Sequence, residues 1–118
     1  MYTAESRALA ILEYSVNVNA EDIPRALSIA RFEIPTDNMV DVSIADLPGD
    51  WMQHPASSST KNWGTALLKK AQTLVIKIPS VIIPQEYNYL INPAHNGIGK
   101  VKFIDSIDYP YDLRIKTK

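Results

Sequence analysis

The chain has 118 residues, 46% hydrophobic and 21% charged, with a formal charge of −1 and no cysteine. The fractions sit near the globular average and exclude a disordered chain, and the cysteine count excludes disulfide frameworks, thiolate metal sites and cysteine nucleophiles. The near-neutral charge argues against a phosphate-backbone binder, no apolar run approaches the roughly 20 residues that span a bilayer, and the opening MYTAESRALAILEYSV lacks the basic and continuous apolar regions of a signal peptide, so the sequence reads as one soluble, cytoplasmic domain over residues 1–118.

The first predicted element is a helix. Thr3 is placed to cap it, Glu5 suits the positive end of its dipole, and Ala4, Ala8, Ile11 and Leu12 give one apolar face. It ends near Ser15 or Val16, because Asn17, Asn19 and Asp22-Ile23-Pro24 are turn chemistry. Residues 26–34 alternate with period two and predict a strand closed by Pro35, and Val40, Val42 and Ile44 predict a second over residues 39–44. Leu47-Pro48-Gly49-Asp50-Trp51 reads as a turn with an anchoring aromatic, and residues 54–61 as a polar loop, of which residues 57–61 are a candidate lid. Residues 60–72 predict a short helix ending in Lys69 and Lys70.

The β-formers of residues 73–78 predict a buried strand, and Val81-Ile82-Ile83 resumes the apolar run after Pro79-Ser80. Tyr87, Tyr89 and Ile91 alternate with Asn88, Leu90 and Asn92 in a further strand. Residues 93–99 form a Gly/Asn turn, residues 101–107 the last long strand, and residues 109–115 close the domain. Helix, strands, helix and more strands argue an α+β fold with mostly antiparallel or mixed sheets and a few short helices.

Generic motifs are silent. Gly97-Ile98-Gly99 lacks the third glycine and the helix of a dinucleotide loop, the serines lack a nucleophile-elbow context, and neither His54 nor His95 has a carboxylate at metal-ligand spacing.

Spaced signatures say more. Tyr2-Thr3-Ala4-Glu5-Ser6 is followed by Ala8, Ile11, Leu12 and Glu13, then by Leu47-Pro48-x-x-Trp51. Ile78-Pro79-Ser80, Asn88-x-x-x-Asn92-Pro93-x-His95 and Tyr111-Asp112-x-Arg114 complete the series. Together they resemble the RES-domain family, named for an Arg, a Glu and a Ser, from Tyr2 to Ile115. The resemblance implies an ADP-ribosyltransferase-like fold and a toxin of a bacterial toxin–antitoxin pair. It implies cleavage of the nicotinamide–ribose bond of NAD+ by hydrolysis or phosphorolysis. NAD+ is then substrate rather than cofactor, no cofactor or metal is required, and the partner is an antitoxin carrying an Xre-type helix-turn-helix. The alternatives are a protein-modifying ADP-ribosyltransferase, or an inactive short form that acts by binding. The family Arg lies in a glycine-rich segment upstream of the matched Tyr, and this chain opens at Met1-Tyr2. In the expected fold that leaves a sheet edge unpaired, an edge open to pairing in a homodimer. Neither Arg7 nor Arg31 occupies the family's Arg context.

Under the resemblance, Glu13 is the first catalytic candidate. Breaking an N-glycosidic bond passes through an oxocarbenium-like state that a carboxylate stabilises; the alternative is a solvated helix carboxylate. Tyr2 precedes Glu13 by eleven positions, roughly 20° from three full helical turns, which predicts similar projection if both are helical. Its ring stacks on nicotinamide, its hydroxyl binds ribose, or it staples the helix start. Ser80 holds the dinucleotide or the Glu in the family reading, and bonds nearby backbone in the plainer one. Trp51 and Asn92 are further candidates for substrate contact. Trp51 and Trp63 equally read as core or loop anchors, and Asn88, Asn92 and His95 as structural groups about the Pro93 turn. Asp112 and Arg114 are expected to pair across the last strand, on one face.

Overall fold

β-Formers at the very start, Tyr2 and Thr3, open the chain as a strand rather than a helix. The computed structural model describes residues 1–37, 39–47, 66, 67, 69 and 73–116. In chain order it holds β1 (Tyr2–Ala4), α1 (Arg7–Asn17), β2 (Ala26–Glu33), β3 (Val40–Asp41), β4 (Val75–Pro79), β5 (Tyr87–Ile91) and β6 (Lys102–Pro110). Short 3-10 turns follow α1, β3, β5 and β6. The α+β arrangement is the one the sequence predicts.

Helix α1 begins later than expected. Ser6 is the cap: its side chain accepts from the Leu9 N–H at 3.1 Å. Thr3 spends its hydroxyl on the Tyr89 carbonyl across β1 and β5, at 2.8 Å. The strand takes Thr3 because β1 finds a full partner in β5, with Tyr2 opposite Leu90 and Ala4 opposite Asn88. Glu5, preceding the cap, accepts from the Tyr87 N–H instead of sitting in the first turn. Ser6→Ala is expected to lower unfolding free energy by about 1 kcal/mol, read as a lower denaturation midpoint with unchanged slope.

The four-stranded sheet runs β1-β5-β4-β3, antiparallel except for the short parallel β3–β4 pair. Alternation splits its side chains between two faces. Val42, Ile76, Ile78 and Leu90 form a buried cluster on one, supported by Val40, Leu47 and Leu67. Leu74, Val75 and Ile91 form the other, under Ile34, Met39, Ile98 and Val101. With apolar cover on both sides, β4 reads as a continuous hydrophobic run.

Strands β2 and β6 make a separate antiparallel ribbon, with a register shift between Arg31 and Phe32. Arg31 grips Asp105 across it through two hydrogen bonds, of 2.6 and 3.1 Å. Phe32 meets Phe103 edge-on, with ring centroids 5.7 Å apart. Tyr111 links the ribbon end to α1: it bonds Ser15 and stacks obliquely on Tyr14.

Other boundaries shift. Of the strand expected over residues 39–44, only Val40–Asp41 pairs; Ser43 and Asp46 form a reciprocal capping box and turn Ile44–Asp46 into a 3-10 turn. Residues 81–83 bend rather than resume a strand. Asp112 and Arg114 do pair, at 2.6 Å, but within the 3-10 turn Leu113–Ile115, which Asp112 caps. The Arg114 side chain, and then its backbone N–H, hold the Asp112 carboxyl down at about 2. The polar loop and Trp63 lie outside the described residues. So does most of the second helix, of which Ala66, Leu67 and Lys69 are helical.

Candidate functional site

Ser80 follows the last residue of β4, where Pro79 ends the strand pairing. The chain turns back at once, and the Ser80 hydroxyl oxygen accepts from the N–H groups of Ile82 and Ile83, at 3.1 and 3.2 Å. Those two bonds use the oxygen's acceptor capacity. The single hydroxyl proton is thereby directed outward, and Oγ donates it to Glu13 Oε1 at 2.9 Å. Ser80 thus bonds both the local backbone and the Glu13 carboxylate.

Asn88 reaches the same oxygen from β5. It stands opposite Ala4 of β1 and Ile78 of β4, on the face that also carries Leu90. Its Nδ2 donates to Glu13 Oε1 at 2.8 Å. Ser80 is 0% exposed and Asn88 1%. Glu13, half-buried on α1, therefore ends on two buried donors that both engage Oε1. Asn88 Oδ1 is buried and has no hydrogen-bond partner among the described residues.

Tyr2 comes to this group by a different route from the one its spacing predicts. It lies on β1, not on the helix, and shares a sheet face with Asn88 because Tyr2 pairs Leu90 while Ala4 pairs Asn88. The staple reading fails for the same reason. The residue as a whole is 60% exposed, yet its hydroxyl end lies deep enough to respond to its surroundings. Burial raises the Tyr2 phenol above the usual tyrosine value, the Glu13 carboxylate raises it further, and the Asn88 amide offsets part of both.

Beside the cluster runs a cleft of about 770 Å³. Its walls are β1 and β2, its floor the Arg7, Ala10, Ile11 and Tyr14 side of α1, and Tyr109 and Tyr111 line it too. Glu13, Ser80 and Asn88 do not line it; Tyr2 belongs to both. The cleft offers aromatic surface and the cations Arg7 and Arg31, the latter already held by Asp105. The Glu13 cluster sits at its edge, joined to it through Tyr2.

The remaining candidates lie elsewhere. Asn92 stands at the far end of β5 and accepts from the Ala94 N–H at 3.1 Å in the Pro93 turn. His95 accepts there from the Gly97 N–H at 2.8 Å. Added at Gly97, a Cβ would stand 3.0 Å from His95 Nδ1, so the imidazole would have to shift by a few tenths of an ångström to admit it. Asn88 is not part of that turn. Trp51 lies outside the described residues. The residue that sequence reasoning under-read is Asn88. Its signal was there: it shares a strand face with Leu90, and an Asn on a buried face needs a partner.

Ser80→Ala is expected to cost stability and activity together. It strands two backbone N–H groups and removes one of the carboxylate's two donors, a loss of about 1–3 kcal/mol in unfolding free energy, measured by chemical denaturation.

The sequence model of the RES domain matches residues 1–112. The chain is similar to the Prs ADP-ribosylating toxin of Sphingobium sp., 33% identical over 100% of this chain and 75% of that protein. It is similar to Toxin Res of Pseudomonas putida, 31% identical over 98% of this chain and 78% of that one. Toxin Res of Yersinia enterocolitica is 28% identical, covering 98% and 77%. Among the described residues no helix is long and apolar enough to cross a membrane.

Proposed function

The chain belongs to the RES-domain family, and on that premise we propose that it is the toxin of a toxin–antitoxin pair that consumes NAD+ by breaking the nicotinamide–ribose bond. The observation that carries this reading is the Glu13 carboxylate, clamped through Oε1 by Ser80 and Asn88. Among the described residues both bonds fall on Oε1, and in this reading Oε2 is the oxygen that faces the substrate.

The chemistry follows from that placement. The C1′–N bond of the nicotinamide ribose breaks, and its electron pair leaves with nicotinamide. Positive charge develops on C1′ and the ring oxygen, and a fixed carboxylate close by stabilises it. Water then attacks C1′ and loses a proton to solvent, giving ADP-ribose; phosphate as the nucleophile gives ADP-ribose 1″-phosphate. Two donors on Oε1 cost no reorganisation during the reaction, which is where preorganised sites gain rate. Tyr2 stands between this carboxylate and the cleft, suited to a nicotinamide or ribose contact. Arg7 on the cleft floor suits the pyrophosphate.

A second reading has a specific support: a 33% identical relative carries the name Prs ADP-ribosylating toxin. In that reading a protein nucleophile, not water, attacks the same C1′. The test is nicotinamide release by the purified chain, with and without phosphate, beside transfer of labelled NAD+ onto lysate proteins. Release without protein labelling supports hydrolysis or phosphorolysis, phosphate dependence separates those two, and one labelled band supports the second reading. An Xre-type helix-turn-helix antitoxin is the expected partner, and co-expression that restores growth tests it.

A further inference from the structure

Asn88 does two things that a structural asparagine does not need to do. Its amide orientation is fixed by chemistry: a carboxylate only accepts, so the atom facing Glu13 Oε1 at 2.8 Å is Nδ2. Oδ1 therefore points the other way, buried and unpartnered among the described residues. Buried carbonyl oxygens are normally paired, and an orphan calls for an explanation. Asn88 belongs to neither of the turns beside it. Its neighbours directly across the sheet, Ala4 and Ile78, carry no polar side chain, and the Tyr2 hydroxyl, which interacts with the Asn88 amide on the same face, makes no hydrogen bond to Oδ1.

The distance sets what the partner can be. Nδ2 and Oδ1 share one amide carbon, so a group bonded to Oδ1 lies within a few ångströms of Glu13. If Glu13 faces the C1′ of the ribose, the nearby donors on the substrate are the hydroxyls of that ribose; its ring oxygen only accepts.

We propose that Asn88 is a positioning residue for the Glu13 carboxylate and that its free Oδ1 accepts a hydrogen bond from a hydroxyl of the nicotinamide-side ribose. The inference rests on the NAD+ reading and deepens it. Nδ2, with Ser80, fixes which carboxylate oxygen faces the sugar. Oδ1 fixes how the sugar is turned toward that oxygen. One side chain thus couples the orientation of the charge to that of the bond being broken.

The test uses the full chain, with NAD+ and its analogues lacking the 2′- or the 3′-hydroxyl of the nicotinamide ribose. With the unchanged protein, one analogue is expected to lose about 10- to 100-fold in kcat/KM relative to NAD+. In Asn88→Ala, kcat on NAD+ falls, and the further loss on that analogue shrinks to under about threefold because its partner is already gone. Asn88→Asp is isosteric and keeps an acceptor while losing the donor. It is expected to retain the dependence on the hydroxyl and to lose kcat, since two carboxylates now face each other. A merely structural asparagine would lower all rates alike and leave the analogue ratio unmoved.

The role is overturned if Asn88→Ala keeps full kcat or the undiminished analogue ratio. Should the Ala variant fail to fold, Asn88→Asp and the analogues on the unchanged protein decide. Indifference of the unchanged protein to both hydroxyls overturns the substrate contact. Nicotinamide release from NAD+ by the unchanged chain is read first. Its absence overturns the NAD+ reading and the substrate contact with it, whereas release with an unmoved analogue ratio overturns the Asn88 role alone.

Discussion

Glu13→Gln is expected to reduce nicotinamide release by about 10²- to 10⁴-fold with the fold intact. The reason lies in what the substitution keeps. An amide Oε1 still accepts from Ser80 and Asn88, at positions now 2.9 and 2.8 Å from the carboxylate oxygen. The buried donors stay paired and the side chain keeps its shape. Only the charge is lost, and with it the stabilisation of a cationic ribose. Glu13→Ala is a blunter variant, since it strands the Ser80 hydroxyl and the Asn88 amide as well. Comparing the two separates charge from architecture: equal loss of activity with unequal loss of stability is the expected pattern. Circular dichroism and thermal unfolding read the fold, and nicotinamide release reads the chemistry. Activity that survives Glu13→Gln would mean that the carboxylate does not carry the reaction.

The site was partly legible because its parts carry local signals. Glu13 interrupts the apolar-leaning face of a helix, and Ser80 sits behind a proline at the end of a buried run. What spacing could not show was how they meet. Tyr2 and Glu13 were related by helical arithmetic, but the chain breaks into a strand and a helix at Ser6, and β5 brings them together instead. A three-residue strand has too little sequence to announce itself; β1 exists because β5 offers it partners, which is a tertiary fact. Asparagine's usual habit places Asn88 in the Pro93 turn, whereas the alternation Asn88–Leu90 places it on a buried face. The strands β2, β4, β5 and β6 were legible because alternation or continuous β-branching persists over five residues or more. Residues 39–44 were not, because the capping box of Ser43 and Asp46 outcompetes sheet pairing with a local hydrogen-bond circuit.

Ile91→Ala is expected to lower unfolding free energy by about 2–5 kcal/mol. Ile91 is fully buried at 0% exposure and packs with Leu74 and Val75 under Ile98 and Val101. It also closes the first strand: its N–H donates to the Met1 carbonyl at 2.8 Å, and its own carbonyl accepts from the Met1 amino group at 2.7 Å. Truncation empties a site bounded by β4 on one side and the 3-10 turn on the other, where backbone cannot collapse freely. The loss is a large share of the roughly 5–15 kcal/mol typical of a domain this size. Because β5 also carries Asn88, loosening Ile91 should be felt at the site, three residues along the same strand. Denaturant titration at constant slope reads the stability. Nicotinamide release below the unfolding transition should fall less than with Glu13→Gln, because the carboxylate and its donors remain present. A loss of stability under about 1 kcal/mol would mean that the cavity refills and that the second core cluster does not anchor β5.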